Sequence, residues 1–220
     1  MNKSNILEKK EKKKKLCINH QILKIDSKNC FLEVMANSFT IDKVLINFRK
    51  YDNNAQSGEK FTQQVDIFID PKVALLLCHD ILSGKIAKLA TISQSKAEKE
   101  GSNFPTEVWR TLGGTSAKEL KKQNRERKDG CAVSRSLKLL PGEKKGFLFT
   151  AESGKGKETD KGLIVPKYGR NPDNRVVIPL DSDQLKIFAI MIKTHIEAFL
   201  ALKYNPYIPD SFCTIVEIEE

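Results

Sequence analysis

Val65-Asp66-Ile67-Phe68-Ile69-Asp70-Pro71 and Val176-Val177-Ile178-Pro179-Leu180-Asp181-Ser182 present one pattern twice. Each is a strand-like apolar run that stops at an aspartate, the residue type that caps a helix, and each is followed by apolar residues at helical spacing. The likeness extends upstream. Leu45-Ile46 precedes Lys50-Tyr51 in the first copy, and Leu163-Ile164 precedes Lys167-Tyr168 in the second. An internal duplication of a strand-strand-helix unit over residues 44–90 and 163–203 follows. The predicted fold is α+β: two repeated antiparallel β-sheet-plus-helix units, with the helices packed on one face of the sheets.

Working outward, Cys30–Met35 and Lys43–Phe48 read as neighbouring strands of a meander before the strand at Gln64–Ile69. Pro71 suits a first helical turn, and Val73, Leu76, Leu77, Ile81 and Ile86 continue a buried stripe. Val108–Leu112 reads as a strand ending in a Gly113-Gly114 turn. The span 116–128 is either a short charged helix, with Ser116 and Glu119 as a capping box, or a long hairpin. Four more strands are expected near 132–139, 146–150, 162–165 and 175–180, with Ser153-Gly154-Lys155-Gly156-Lys157 as an exposed hairpin tip. A last helix over 183–203 carries Leu185, Phe188, Ile192, Ile196 and Phe199. The resulting organisation is a basic tail (1–20), a first unit (21–92), a polar linker (93–107), a second unit (108–204) and a C-terminal segment with an acidic end (205–220).

The chain has 220 residues, of which 40% are apolar, enough for a proper core. Its 38 Lys and Arg outweigh 28 Asp and Glu, a formal charge of +10 that favours a polyanionic partner. No apolar run approaches the length that spans a bilayer, so a cytoplasmic protein without a membrane partner is expected. Five scattered cysteines, Cys17, Cys30, Cys78, Cys131 and Cys213, read as free thiols rather than a disulfide or zinc framework.

Catalytic constellations are wanting. His20, His79 and His195 have no metal-ligand spacing, and the latter two fall in predicted helices. Gly154-Lys155-Gly156-Lys157 does not complete a phosphate-binding loop, which needs serine or threonine after glycine-lysine. Asp66, Asp70, Asp181 and Asp183 are better explained by strand ends and helix caps than by a nuclease metal site. The expectation is a protein that is not an enzyme, with no cofactor and no metal.

Nucleic-acid chemistry fits better. Basic residues crowd the strands and loops between Arg110 and Arg175, with aromatic rings among them. The candidate nucleic-acid-binding residues are Arg49, Lys50, Tyr51, Trp109, Arg110, Arg135, Lys138, Lys155, Lys157, Lys161, Lys167, Tyr168 and Arg170. Rings on a sheet stack bases at about 1–3 kcal/mol each, while flanking cations hold phosphates, and neither contact depends on sequence. Phe147 and Phe149 share one side of their strand and read as core.

The strand-and-helix order, the Lys-Tyr pairs and the repeated Val-x-Ile-x-(Ile/Leu)-Asp run, spanning 25–203, resemble the Whirly family and the related general transcriptional coactivators. This architectural resemblance implies curved sheets around a helical core that bind single-stranded DNA across a sheet face and loops. In the coactivator branch two chains pair, one unit from each; here the duplication supplies both units. The expected function is binding of single-stranded DNA, or RNA, with low sequence specificity. Self-association into a homo-oligomer is left open. The alternatives are a duplex-DNA-binding transcriptional regulator and a noncatalytic protein-interaction component of a phage or mobile element.

Overall fold

The computed structural model describes residues 20–56, 59–142 and 146–205; the basic tail up to residue 19 and the acidic end from residue 206 lie outside them. The first unit is an antiparallel sheet of β1 (Gln21–Ser27), β2 (Cys30–Met35), β3 (Val44–Tyr51) and β4 (Phe61–Ile69), in chain order. Side chains alternate across a strand, so one apolar set reaches one face. Leu32, Val34, Val44, Ile46, Phe48, Val65, Ile67 and Ile69 are all buried there. Asn29 turns the β1–β2 hairpin at φ 58°, in the left-handed region that a short amide side chain tolerates.

The helical stripe after Pro71 is broken in two. Helix α1 (Pro71–Leu82) ends at Ser83, and Gly84 at φ 78° redirects the chain into α2 (Lys85–Lys99). A left-handed glycine is the usual way to stop one helix without strain. The expected linker over 93–107 is therefore helical as far as Lys99. Ala90, Ser93 and Ala97 recur at helical spacing and are buried, and Ser93 Oγ donates to the Thr106 carbonyl at 2.8 Å. Polar composition concealed a helix whose buried residues are small.

The second unit comprises β5 (Trp109–Thr115), α3 (Ala117–Lys122), β6 (Ala132–Pro141), β7 (Phe147–Glu158), β8 (Ile164–Pro166), β9 (Asn174–Leu180) and α4 (Ser182–Lys203). Its antiparallel sheet runs β5-β6-β7, and the long β7 then pairs with β9 along its first half and with β8 at its end. The expected charged helix shrinks to α3. Ser116 Oγ accepts from the Glu119 amide, and left-handed Asn124 follows the C-terminus.

Two glycine-rich stretches differ from expectation. Gly113-Gly114 lies inside β5, and Ser153–Lys157 lies inside β7 rather than at a hairpin tip. Gly114, Gly154 and Gly156 answer to close approach. A Cβ on Gly154 would stand 2.7 Å from Cδ1 of Tyr168, and one on Gly156 would stand 2.7 Å from Cγ2 of Ile164. A Cβ on Gly114 would also meet Ile164 at 2.7 Å, so the β7–β9 connection folds back onto the sheet over three glycines.

Both units share one core. Phe48 of the first sheet, Phe149 of the second and Phe188 of α4 form a chain of rings with centroids 6.4 and 5.0 Å apart, all fully buried. Helix α1 packs along α4, and both are covered on one side by the sheets. Among the described residues no helix is long and apolar enough to cross a membrane.

The duplication holds in the structure with a shifted correspondence. In each unit the last strand reaches the aspartate before the helix, with Ile69 opposite Val44 and Leu180 opposite Phe147. Counting from those pairs, β3 corresponds to β7, and β8 is an insertion without a counterpart. Tyr51 thus corresponds to Gly154, not to Tyr168. The Tyr168 ring nevertheless rests on Gly154 from the inserted connection. The two aspartates also differ. Asp181 Oδ1 accepts from the amides of Asp183 and Gln184, and Gln184 accepts in return from the Asp181 amide. Asp70 caps no amide; its carboxylate is held by the Lys43 ammonium, which keeps it below the usual carboxylate range.

Candidate nucleic-acid interface

The alternation that fills the core turns Lys24, Asp26, Phe31, Glu33, Arg49 and Tyr51 to the opposite face of the first sheet. At the end of the sheet nearest the β1–β2 hairpin, Asp26 pairs with Phe31 and Tyr51 pairs with Phe61 across the strands. The ring of Phe31 lies 6.2 Å from Tyr51 and 6.1 Å from Phe61, centroid to centroid. Lys24 Nζ stands 4.6 Å from the centre of the Phe31 ring and 2.7 Å from Asp26 Oδ1. That hydrogen bond to Asp26 raises the Lys24 pKa, so the ammonium stays charged through neutral pH. With Lys60 these residues line a hollow of about 360 Å³. Phe61 is 48% exposed, which a ring serving only the core would not be.

Towards the middle of this face the polar groups satisfy one another. Arg49 Nη1 donates to Asp66 at 2.6 Å, and Glu33 accepts from Gln21 and Asn47. Arg49 is thus a strut of the sheet surface.

The outer face of the second sheet has a different chemistry. Glu152, buried at the centre, accepts from Lys138 Nζ at 2.8 Å and from Arg175 Nε at 2.7 Å, with the hydroxyls of Ser136 and Tyr168 at 3.4 and 3.5 Å. Burial pushes the Glu152 carboxyl up, but the hydrogen bonds from Lys138 and Arg175 outweigh it, and its pKa lies below the ordinary value. Burial raises the Tyr168 phenol. The face is covered by its own chain where Tyr168 and Ile164 sit on the glycines.

The other predicted residues lie in different settings. Trp109 packs against the core, on the side of β5 opposite Arg110, which pairs with Glu107 at 3.1 Å. Arg135 points inward and donates to Thr115 Oγ1 at 2.9 Å, with burial lowering its pKa. It lines a cleft of about 680 Å³ between β4 and β5, beside Phe68 and Arg125. Lys155 reaches Asp129 at 3.5 Å. Lys157, Lys161, Lys167 and Arg170 are exposed on the end of β7 and the connection to β9, and Lys50 is exposed next to Tyr51. Tyr51 lines the aromatic hollow, Lys50 is turned to the other side of β3 opposite buried Cys30, and the basic β7–β9 connection forms a separate exposed cluster.

Sequence reasoning missed Lys24, Asp26, Phe31, Lys60 and Phe61. Their signal was present: Phe31 breaks the alternation of β2 by placing a ring between buried Cys30 and Leu32, on the side that should be polar. Among the described residues no group of three or more His, Cys, Asp or Glu side chains is placed to hold a metal ion. No protein-family model matches this chain, and no curated protein matches its sequence.

Proposed function

We propose that the protein binds single-stranded nucleic acid, DNA in the first instance, with low overall sequence specificity and without catalysis. The observation that carries this reading is the cluster of Phe31, Tyr51 and Phe61, partly exposed on the outer face of the first sheet beside Lys24 and Lys60. A ring offers every base a surface to stack on, and lysines beside it meet the phosphates. The exposed lysines and Arg170 on the β7–β9 connection extend the positive field, and the +10 charge of the chain acts in the same sense. The resemblance to the Whirly family is supported by the element order, in which four strands precede a helix in each unit once β8 and α3 are taken as insertions.

A duplex reader needs a helix that enters the major groove. The charged helix offered for that role, α3, has only six residues, which weakens the alternative. The protein-interaction reading keeps one support. Leu76 and Ile92 are 60% and 64% exposed, and Ile187 and Ile190 project at i, i+3 spacing on α4.

The test is fluorescence anisotropy of the protein with labelled single-stranded DNA, duplex DNA and RNA of equal length across a salt series. Tighter single-strand binding that weakens steeply with salt is expected, and absence of binding at low salt would refute the reading. Light scattering in the same buffer measures self-association.

A further inference from the structure

The aromatic hollow contains a group that nonspecific strand binding does not require. Asp26 lines it with a carboxylate, which repels phosphate, and the side chain is 60% exposed. Its ion partner among the described residues is Lys24, two residues earlier on the same face of β1. The two side chains therefore set one ammonium donor next to two carboxylate acceptors at the rim of a ring-walled hollow. Resting on the strand-binding reading above, we propose that this hollow is a guanine-selective subsite, with Lys24 and Asp26 reading the Watson–Crick edge of one unpaired base.

The assignment follows from the order of polar groups on the four edges. Guanine presents an acceptor, O6, then two adjacent donors, N1–H and the N2 amino group. An ammonium beside a carboxylate is the complement: Lys24 donates to O6, and the two Asp26 oxygens accept from N1–H and N2–H. Cytosine presents one donor and two acceptors, which sets its lone pairs against the carboxylate. Adenine has an amino donor but an acceptor in the middle. Thymine and uracil match Lys24 and one carboxylate oxygen, then place O2 against the other. Selectivity arises as much from these unpaired contacts as from the matched ones. The rings of Phe31, Tyr51 and Phe61 hold any base, and the ion pair discriminates among them.

The experiment uses the full chain and thymidine nonamers with thymine, guanine, adenine, cytosine or hypoxanthine at the central position, read by anisotropy. A bidentate base contact at a partly hydrated site predicts that the guanine oligomer binds about fivefold to tenfold more tightly than all-thymidine. Hypoxanthine keeps O6 and N1–H but lacks the amino group, and should fall between. Asp26→Asn should erase the guanine preference while all-thymidine binds equally or more tightly, because a negative charge has gone. Phe31→Ala should weaken all oligomers together. Equal affinity for all central bases, with Phe31→Ala still weakening each, would overturn the guanine subsite and leave strand binding standing. A guanine preference that survives Asp26→Asn would overturn it too. Affinity indifferent to both substitutions would remove strand binding at this face and the subsite with it. All five residues lie on the outer face, so thermal melts should show both variants folded.

Discussion

Glu152→Gln tests the most heavily coordinated polar group of the second sheet. The carboxylate is 3% exposed and takes charge-assisted hydrogen bonds from Lys138 Nζ at 2.8 Å and from Arg175 Nε at 2.7 Å, with Arg175 Nη2 in ion-pair contact at 2.6 Å. Such bonds contribute about 1.5–3 kcal/mol each, but the lysine and arginine side chains remain 26% and 46% exposed and can turn to water when the carboxylate is lost. The glutamine keeps one acceptor oxygen and aims an amide N–H at a cation. These opposing effects put the cost at about 2–3 kcal/mol, below the sum of the two bonds. For a chain of this size that is a fall in Tm of about 5–10 °C at pH 7. The pH dependence follows from the direction of the shift. The folded carboxyl titrates below its unfolded value, so its stabilisation is complete above the unfolded value, near 4.3 for glutamate, and is lost as pH falls through the lower folded value. Melts followed by circular dichroism from pH 7 to pH 3 should show wild type and variant converging at the acid end. Equal Tm at pH 7, or a gap unchanged down to pH 3, would refute the reasoning.

Three further outcomes are expected. Phe31→Ala and Phe61→Ala should each cost about 1–3 kcal/mol of single-strand affinity with little change in Tm, measured by anisotropy and melting. Gly154→Ala should lower Tm, since its Cβ would meet the Tyr168 ring at 2.7 Å, and adding Tyr168→Ala should cost less than the two changes summed, as read from a double-mutant cycle. Neutralising Lys155, Lys157, Lys167 and Arg170 together should flatten the plot of log affinity against log salt by at most about 3, less the share of Lys155 already spent on Asp129, and an unchanged slope would exclude the connection from the interface.

The fold was legible where periodicity alone decides it. The alternation in β2, β3, β4 and β9 and the stripe of α4 are direct images of one buried face each. What stayed hidden depends on contacts between residues distant in sequence. Gly154 and Gly156 carry the composition of a turn, and only the approach of Tyr168 and Ile164 explains them inside a strand. The Lys-Tyr echo paired Tyr51 with Tyr168, which do not correspond, since local similarity cannot show that β8 is inserted between β7 and β9. Of the residues that line the hollow, Tyr51 was singled out through its place at a strand end. Phe31 and Phe61 were not, because an apolar residue in a strand is ordinarily assigned to the core, and which face it joins is fixed by the register of four strands together. Density of basic residues was a weaker guide, since Arg49, Lys138 and Arg135 are held by Asp66, Glu152 and Thr115.

The corrected correspondence shows how one architecture has been given two surfaces. Position by position on the outer faces, Lys24 matches Arg110, Phe31 matches Ser136, Glu33 matches Lys138, Arg49 matches Glu152 and Tyr51 matches Gly154. Charge is conserved only at the first of these and reversed at two. Both central residues still form ion pairs across their sheets, Arg49 with Asp66 and Glu152 with Lys138 and Arg175, so each sheet keeps a buried or half-buried pair with the polarity exchanged. The rings diverge further. The first sheet keeps Phe31 and Tyr51 in its own strands and leaves a hollow open, whereas the second replaces them with serine and glycine and brings Tyr168 in from the β7–β9 connection. The glycine and the ring depend on each other: restoring a side chain at Gly154 would evict Tyr168, and with it the hydroxyl that approaches Glu152. The proposed division of labour follows from this exchange. Stacking and base reading fall to the open first sheet, and the second sheet, closed over its own carboxylate, contributes the cations of the connection that closes it.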